Sequence, residues 1–277
     1  MYPKSTIHAD VAKHKRPTDK NILTMKVNYV KKYSKSLGRD MEYKTYGDKG
    51  RGVLVFPSQD GRFYDYQDFD MVAVLSQFID SGQIRLICVD SIDSETWSNA
   101  GGDEHYRITL HEQWYHYIID ELLPSERHYT DETFIVTGCS MGGFHAANFF
   151  FRRPDIFDTL VSLSGIYYAA YFFPNYQDPL IYDNSPQDYL ANMPQNHPYL
   201  DLYRKRNIIM CVGQGNWEDE LLESTRQIDA LIKAKGIPAW IDYWGYDSAH
   251  DWEWWRKQIV YFMQKVLEHK VSQDYVI

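Results

Sequence analysis

Short apolar runs alternate along the chain with longer segments in which apolar residues recur every three or four positions. Consecutive parallel strands need a crossover connection, which is usually a helix, so this alternation predicts an α/β fold: a mostly parallel sheet with helices on both faces. We predict strands at residues 52–56, 84–90, 133–137, 159–163, 207–212 and 239–244. Helical patterns occupy residues 68–79, 106–123, 143–151, 220–235 and 252–268.

The region before the first of these strands has a different character. Residues 27–30 and 41–46 have strand-like patterns on either side of Leu37 and Gly38, which predicts an antiparallel hairpin at one edge of the sheet. Residues 1–50 contain 12 Lys and Arg residues against 5 Asp and Glu, although the net charge of the whole chain is -9. We interpret these basic residues as a solvated edge, with a tether to nucleic acid or membrane as the alternative.

Several classes of protein are excluded. The acidic balance argues against a general nucleic-acid binder, and no run approaches the roughly 18 consecutive apolar residues of a membrane span. Residues 1–17 lack the apolar core of a secretory signal. The 3 cysteines lie in or beside apolar runs, which predicts buried thiols in the reducing cytoplasm. Without repeats or low-complexity linkers, residues 1–277 are expected to form a single domain.

The alternation breaks once, between Ile166 and Arg206. This stretch has no clean period, contains five prolines and is dense in tyrosine. Loops longer than about 15 residues are uncommon in compact domains and usually serve as lids or binding loops. We therefore predict a lid-like insertion, residues 166–206, within the domain.

Ser140 is the candidate nucleophile. Residues 138–142 read Gly-Cys-Ser-Met-Gly, which matches the G-x-S-x-G motif, and they lie between a predicted strand and a predicted helix. The motif works in that setting because a sharp turn with small flanking residues lifts the serine hydroxyl above the carboxyl edge of the sheet. An ordinary glycine turn is the alternative, so the hypothesis demands a carboxylate and a histidine that follow in that order.

Among the histidines after Ser140, His250 is the best placed to act as the base. It lies between the last predicted strand and the last predicted helix, at the carboxyl edge of the sheet. His145 and His269 fall on helical segments, and His197 falls in the insertion.

The acid is expected in the loop that follows residues 207–212. Glu218, Asp219 and Glu220 are adjacent there. Acidic residues also suit the first turn of a helix because of its dipole. Glu218 is closest to the strand end and is the preferred candidate, with Asp219 as the alternative.

Together these segments resemble the putative-esterase family of α/β hydrolases, which includes esterase D-type enzymes, feruloyl and acetylxylan esterases and mycolyltransferases. The resemblance covers about residues 52–262. It depends on residues 138–143, Gly-Cys-Ser-Met-Gly-Gly, and on residues 249–255, Ala-His-Asp-Trp-Glu-Trp-Trp. It implies an α/β-hydrolase fold, with Ser140 as the nucleophile and His250 as the base.

The chain departs from the family pattern at two places. The usual acid is an Asp three residues after the strand-ending glycine, where this chain has Asn216, so Glu218 has to reach in from two residues later. Many relatives have a His-Gly pair after the third strand, whereas residues 56–61 here read Phe-Pro-Ser-Gln-Asp-Gly. We expect the backbone N–H groups of Met141 and Gln59 to form the oxyanion hole.

The sequence therefore predicts a serine esterase that cleaves carboxylic esters of small molecules through an acyl-enzyme. Acyl transfer to an alcohol by the same residues is one alternative, and a hydrolase-fold scaffold that binds a partner is another. Trp97, Tyr167 and Tyr168 are candidates to contact an acylated sugar or an aryl ester, with packing beneath the lid as the alternative role of the tyrosines.

No cofactor or metal is predicted. His105, His111 and His116 are close in sequence, but their spacing matches no recognised ligand set.

Overall fold

The structure is a computed structural model that describes residues 25–268. Its centre is one mixed sheet with the strand order β1-β2-β4-β3-β5-β6-β7-β8. The strands are β1 Val27–Ser34, β2 Arg39–Tyr46, β3 Arg51–Phe56, β4 Ile84–Val89, β5 Phe134–Cys139, β6 Phe157–Leu163, β7 Asn207–Val212 and β8 Trp240–Tyr243. The parallel part extends from β4 to β8, while β1 and β2 form an antiparallel pair that joins the sheet antiparallel to β4.

Helices cover both faces of this sheet. They are α1 Asp65–Asp68, α2 Met71–Asp80, α3 Glu104–His116, α4 Leu123–Glu126, α5 Met141–Arg152, α6 Pro179–Asp183, α7 Pro186–Asn192, α8 Pro198–Tyr203, α9 Asp219–Ala234 and α10 Trp252–Leu267. A π-helical turn, Tyr117–Leu122, joins α3 to α4. The α/β prediction is confirmed, and each predicted strand of the parallel sheet is present within two residues of its expected ends.

Each face of the sheet has its own apolar core. In β3, Leu54 and Phe56 belong to the core on one face, whereas Val53 and Val55 belong to the core on the other. Successive side chains of a strand point to opposite faces, so a strand covered on both sides must be apolar at every position. This is why the central strands appear in the sequence as continuous apolar runs.

The hairpin lies at the sheet edge, as predicted. Within residues 25–268, strand β1 pairs only with β2, and most of its residues are exposed, including Lys31 and Lys32. Charged side chains on an edge strand discourage pairing with other chains. Residues 1–24 of the basic region, and His269, lie outside the described residues.

The segment 166–206 contains more regular structure than its sequence pattern suggests. Helices α6, α7 and α8 each begin on a proline, at Pro179, Pro186 and Pro198. Proline is favoured at the first position of a helix, because its φ angle is already helical and its missing N–H would have no acceptor within the helix. The residues that interrupt the helical period therefore start short helices.

A buried polar cluster fastens this segment to the body of the protein. Asn184, at the end of α6, is fully buried, and its side-chain oxygen accepts hydrogen bonds from Arg152 and Asn148, each at 2.8 Å. Its amide nitrogen donates to Glu112 at 3.1 Å, and Arg152 also pairs with Glu112. These bonds attach α6 to both α3 and α5.

His111 extends the same cluster towards the loop after β4. The indole N–H of Trp97 donates to Nδ1 of His111 at 2.9 Å, so the proton of the imidazole lies on Nε2, which donates to Asn184 at 3.1 Å. Burial lowers the pKa of His111 well below its usual value, and the neighbouring His145 and Arg152 lower this pKa further. The folded protein therefore holds this imidazole neutral.

The stability of the fold should consequently depend on pH. The unfolded chain protonates His111 near pH 6.5 but the folded protein does not, so unfolding takes up a proton at lower pH and stability is lost as the pH falls. We expect this residue to contribute a slope of up to about 1.4 kcal/mol per pH unit below pH 6.5. Urea unfolding between pH 7.5 and 5 would measure it.

In that experiment His111→Gln should have a shallower slope than the wild type. The exposed His128 provides the control, because His128→Gln should retain the wild-type slope. Equal slopes for His111→Gln and the wild type would contradict the expectation.

Candidate active site

Ser140 occupies a strained turn at the carboxyl edge of the sheet. It stands between the last residue of β5 and the first residue of α5, with φ 57° and ψ -120°. Residues other than glycine rarely adopt such a positive φ, and this backbone strain costs on the order of 1–3 kcal/mol of folding free energy. Neighbouring backbone holds the conformation: the N–H of Ser140 donates to Leu163 at 2.9 Å, and its carbonyl accepts from Gly143 at 2.9 Å.

Close backbone contacts explain the glycines of the motif. A Cβ atom on Gly142 would lie 2.5 Å from the carbonyl oxygens of both Phe56 and Pro57. A Cβ on Gly143 would lie 2.8 Å from the carbonyl oxygen of Leu163. The first turn of α5 therefore lies directly against the ends of β3 and β6, which places the loop containing Gln59 next to the serine.

The structure brings Ser140, His250 and Glu218 together. Nε2 of His250 lies 2.9 Å from Oγ of Ser140, and Nδ1 of His250 lies 3.3 Å from Oε2 of Glu218. The carboxylate is buried, with only 1% of its side chain exposed, while the imidazole is 19% exposed. A histidine bonded on one side to a hydroxyl and on the other to a buried carboxylate can remove the proton from that hydroxyl.

The alternative acid and the other histidines lie elsewhere. Asp219 is exposed as the first residue of α9. His145 is fully buried and bonds to Asp93 at 2.9 Å, and His197 bonds to the backbone N–H of Tyr199. Of the two candidate acids, Glu218 is the one whose carboxylate bonds to His250.

Two residues without a role predicted from the sequence, Ser164 and Trp255, support the carboxylate. The hydroxyl of Ser164 donates to Oε1 of Glu218 at 2.7 Å, and the indole N–H of Trp255 donates to Oγ of Ser164 at 3.2 Å. The ring of Trp255 also contacts the imidazole of His250 edge-on, with 4.8 Å between centroids. Ser164 directly follows β6, and this position at the carboxyl edge was the available signal.

The expected oxyanion donors lie in the same cavity as Ser140. Met141 is the first residue of α5, and the N–H groups of the first helical turn have no acceptor within the helix. Gln59 lies in a turn closed by a 2.9 Å hydrogen bond from Gly61 to Ser58, and its own N–H does not take part in that bond. Both residues thus lie beside the serine.

The cavity above Ser140 and His250 has a volume of about 260 Å³. The apolar residues that line it are Met141, Phe144, Ile166, Phe172 and Leu221. Polar groups come from Gln59, Tyr171, Trp217 and Glu220. From the segment 166–206, therefore, the residues that line it are Ile166, Tyr171 and Phe172.

Two of the aromatic residues predicted to contact substrate lie outside this cavity. Tyr167 is fully buried, and its hydroxyl forms a 2.9 Å hydrogen bond with Ser162. Trp97 is 2% exposed and packs against Phe144 and Phe172 from behind, with centroid distances of 4.8 and 5.3 Å. Both side chains therefore point into the core, and neither of them lines the cavity.

Tyr168 is half-buried and contacts Tyr171 edge-on at 6.1 Å between centroids. It does not line the cavity, whereas Tyr171 does. Periodicity could not distinguish these tyrosines, because the chain is irregular here.

The eight-stranded sheet, with its parallel centre and its serine on a strand-to-helix turn, defines an α/β hydrolase. The chain belongs to the Putative esterase family, whose model matches residues 34–265. It is a carboxylic ester hydrolase. No curated protein sequence matches the chain.

Solved structures share the fold at low sequence identity. A ferulic acid esterase is 17% identical with a TM-score of 0.70, and the match covers 88% of this chain and 99% of that one. An S-formylglutathione hydrolase from Agrobacterium tumefaciens is 12% identical with a TM-score of 0.67, covering 90% and 96%. A fluorophosphonate-binding serine hydrolase from Staphylococcus aureus is 12% identical with a TM-score of 0.66, covering 88% and 98%.

The close backbone contacts of the strand-to-helix turn at Ser140 lead to a direct prediction. Gly142→Ala should lower the free energy of unfolding by about 2–3 kcal/mol, because the new methyl group would collide with two main-chain carbonyls that have little freedom to move. Gly101→Ala is the matched control: a Cβ there meets nothing within 4 Å, so the change should stay within about 0.5 kcal/mol. Urea unfolding would compare the two variants, and equal stabilities would show the packing argument to be wrong.

Proposed function

We propose that this protein is a serine esterase that hydrolyses small-molecule carboxylic esters through an acyl-enzyme, with Ser140 as the nucleophile. His250 is the general base and Glu218 is the acid that orients it. The observation that carries the proposal is a pair of hydrogen bonds at His250. Its Nε2 bonds to the hydroxyl of Ser140, and its Nδ1 bonds to the carboxylate of Glu218. Family membership supports the same reaction class.

In the first half of the reaction, Oγ of Ser140 attacks the ester carbonyl carbon while Nε2 of His250 takes its proton. The negative charge that develops on the carbonyl oxygen is stabilised by the N–H groups of Met141 and Gln59. The imidazolium then gives its proton to the leaving alcohol, and the acyl group stays on the serine. Water repeats the sequence on the acyl-enzyme, which releases the acid and restores the hydroxyl.

The base keeps its orientation through Glu218. A carboxylate on Nδ1 fixes the tautomer in which Nε2 is free to accept a proton, and it stabilises the imidazolium that forms. The carboxylate itself is held by Ser164 at 2.7 Å and by the N–H of Gly213 at 3.4 Å. We therefore assign Ser164 as a positioning residue that acts through Glu218.

The volume of the cavity limits the size of the substrate. A volume of about 260 Å³ suits a short acyl chain or one aryl group, with the rest of the ester extending past the mouth. The first part of the segment 166–206 contributes one wall, which is the lid role that we propose for it. The three free cysteines are buried, in keeping with the reducing cytoplasm that we propose as the compartment.

Removal of the nucleophile tests the proposal. Ser140→Ala should lower kcat for a p-nitrophenyl ester by about a thousandfold or more, because the covalent route is lost. It should also abolish labelling by a fluorophosphonate probe. The variant should be run beside Ser81→Ala, which removes a hydroxyl at the end of α2, before β4 begins and hence at the opposite edge of the sheet.

Ser81→Ala should keep both the turnover and the labelling of the wild type. Hydrolysis that survives in Ser140→Ala would refute the assignment. Added acceptor alcohols in the same assay would reveal acyl transfer as ester products, and a binding scaffold would neither turn over ester nor react with the probe.

The positioning role of Ser164 has its own test. Ser164→Ala should lower kcat about tenfold with a much smaller change in KM, because Glu218 loses a hydrogen bond of the charge-assisted kind. The same loss makes the ionised carboxylate less stable, so the acidic limb of the pH profile of kcat should move to higher pH.

Ser162→Ala is the matched control for this test. Ser162 is also buried near the end of β6, but it bonds to the carbonyl of Gly143 and to Tyr167 rather than to the acid. It should lower stability without moving the pH profile. A shift of the same size in both variants would mean that Ser164 acts through general packing.

A further inference from the structure

The mouth of the cavity has an unusual chemical composition. Glu220 is exposed there at the first turn of α9, and interaction with its carboxylate raises the pKa of Tyr171. Both residues line the cavity, Tyr171 from the segment 166–206 and Glu220 from α9. The opening above Ser140 therefore contains an exposed carboxylate.

Trp217 lies beside this carboxylate at the same opening. Its side chain is 84% exposed, and its φ angle of 69° places it in the left-handed region of the backbone. The next residue, Glu218, turns inward and is buried, so the strained backbone separates an inward acid from an outward indole. A large exposed aromatic ring at the mouth of a cavity is a surface on which ligands stack.

The charges around the opening have one sign. Of the described residues that line the cavity, none is Lys or Arg, and Glu220 is the one carboxylate. Asp219 adds a second exposed carboxylate next to it. Arg107 approaches from behind, where its guanidinium bonds to the carbonyl of Phe172, but this residue is 1% exposed and does not reach the cavity.

We propose that this mouth selects substrates by charge, so that esters with a positively charged group two or three atoms from the ester oxygen are preferred and anionic ones are disfavoured. Glu220 supplies the Coulombic attraction, while the rings of Trp217 and Tyr171 supply faces on which an alkylammonium group binds by a cation–π interaction. The inference rests on the proposed function, since it concerns the leaving group that extends from Ser140.

Three acetyl esters of similar size provide the test: those of choline, 3,3-dimethylbutanol and 3-hydroxypropionate. The first two have nearly the same shape and differ in replacing a quaternary nitrogen by carbon, so their ratio of kcat/KM isolates the charge. Acid release in a pH-stat would give the rates, and the butyryl series would be measured in parallel. At low salt we expect the choline ester to exceed its neutral counterpart about fivefold to tenfold, and the anionic ester to be the poorest.

Two further observations assign the effect to Glu220. In Glu220→Gln the ratio of choline ester to neutral ester should fall to about two or less, because the attraction is lost while the rings remain. In the wild type the same ratio should decrease as salt is added.

Glu223→Gln is the control for total charge. Glu223 lies one turn further along α9, and its side chain is 61% exposed beside Arg226. This variant should keep the wild-type ratio.

The outcomes separate this inference from the proposed function. If esters are hydrolysed by the wild type and not by Ser140→Ala, but the choline ester has no advantage or Glu220→Gln leaves its advantage intact, the charge selection is wrong and the esterase assignment stands. If none of the esters is hydrolysed in a way that depends on Ser140, both are wrong.

Discussion

The contact between the first turn of α5 and the end of β3 is the constraint on which the site depends. Gly142 packs so closely against the carbonyls of Phe56 and Pro57 that only a residue without a Cβ fits. The contact forces the chain to reverse at Ser140, which adopts a φ of 57° that would be costly in isolation. The same contact brings the loop of Gln59 close to the serine, so one packing contact positions both residues at the cavity.

The carboxylate that bonds to His250 comes from a different position from the one that the family resemblance implies. Asn216 occupies the expected position of the acid, and its carbonyl accepts the N–H of His250 at 3.0 Å. That position still holds the histidine loop, but through the main chain. The carboxylate comes from Glu218 after a turn in which Trp217 has a positive φ, and this turn directs the longer glutamate side chain back beneath the imidazole.

Local pattern sufficed for the parts of the fold that are determined locally. Strands buried on both faces are apolar at every position, and the strand-to-helix turn needs glycines, so the parallel strands and the position of Ser140 on that turn were predictable. The prolines of residues 166–206 interrupt the helical pattern, although Pro179 and Pro186 start helices that tertiary contacts with α3 and α5 hold in place. Helices of five to seven residues have little intrinsic stability, so their sequence alone gives a weak signal.

The orientations of the tyrosines in the segment 166–206 could not be predicted for a related reason. Tyr167 and Tyr171 are four residues apart in an irregular segment, where no periodicity indicates which side chain faces the core. Tyr167 points inward, where Ser162 gives its hydroxyl a hydrogen-bond partner, and Tyr171 lines the cavity above Ser140. The contacts of Ser164 were equally hidden, because its partners Glu218 and Trp255 are distant in sequence.

The hydrogen-bond donors around the carboxylate of Glu218 determine how strongly its charge affects His250. Within residues 25–268 the hydrogen-bond partners of Glu218 are the hydroxyl of Ser164, the N–H of Gly213 and the imidazole, and none of these is a Lys or Arg. Neutral donors orient a carboxylate without cancelling its charge, whereas a cation would. Since the carboxylate is buried, its field is weakly screened by water, and in the proposed mechanism the imidazolium of His250 is the positive charge next to it. On that mechanism the stabilisation is concentrated on the protonated state of His250, which is the state that accompanies the oxyanion.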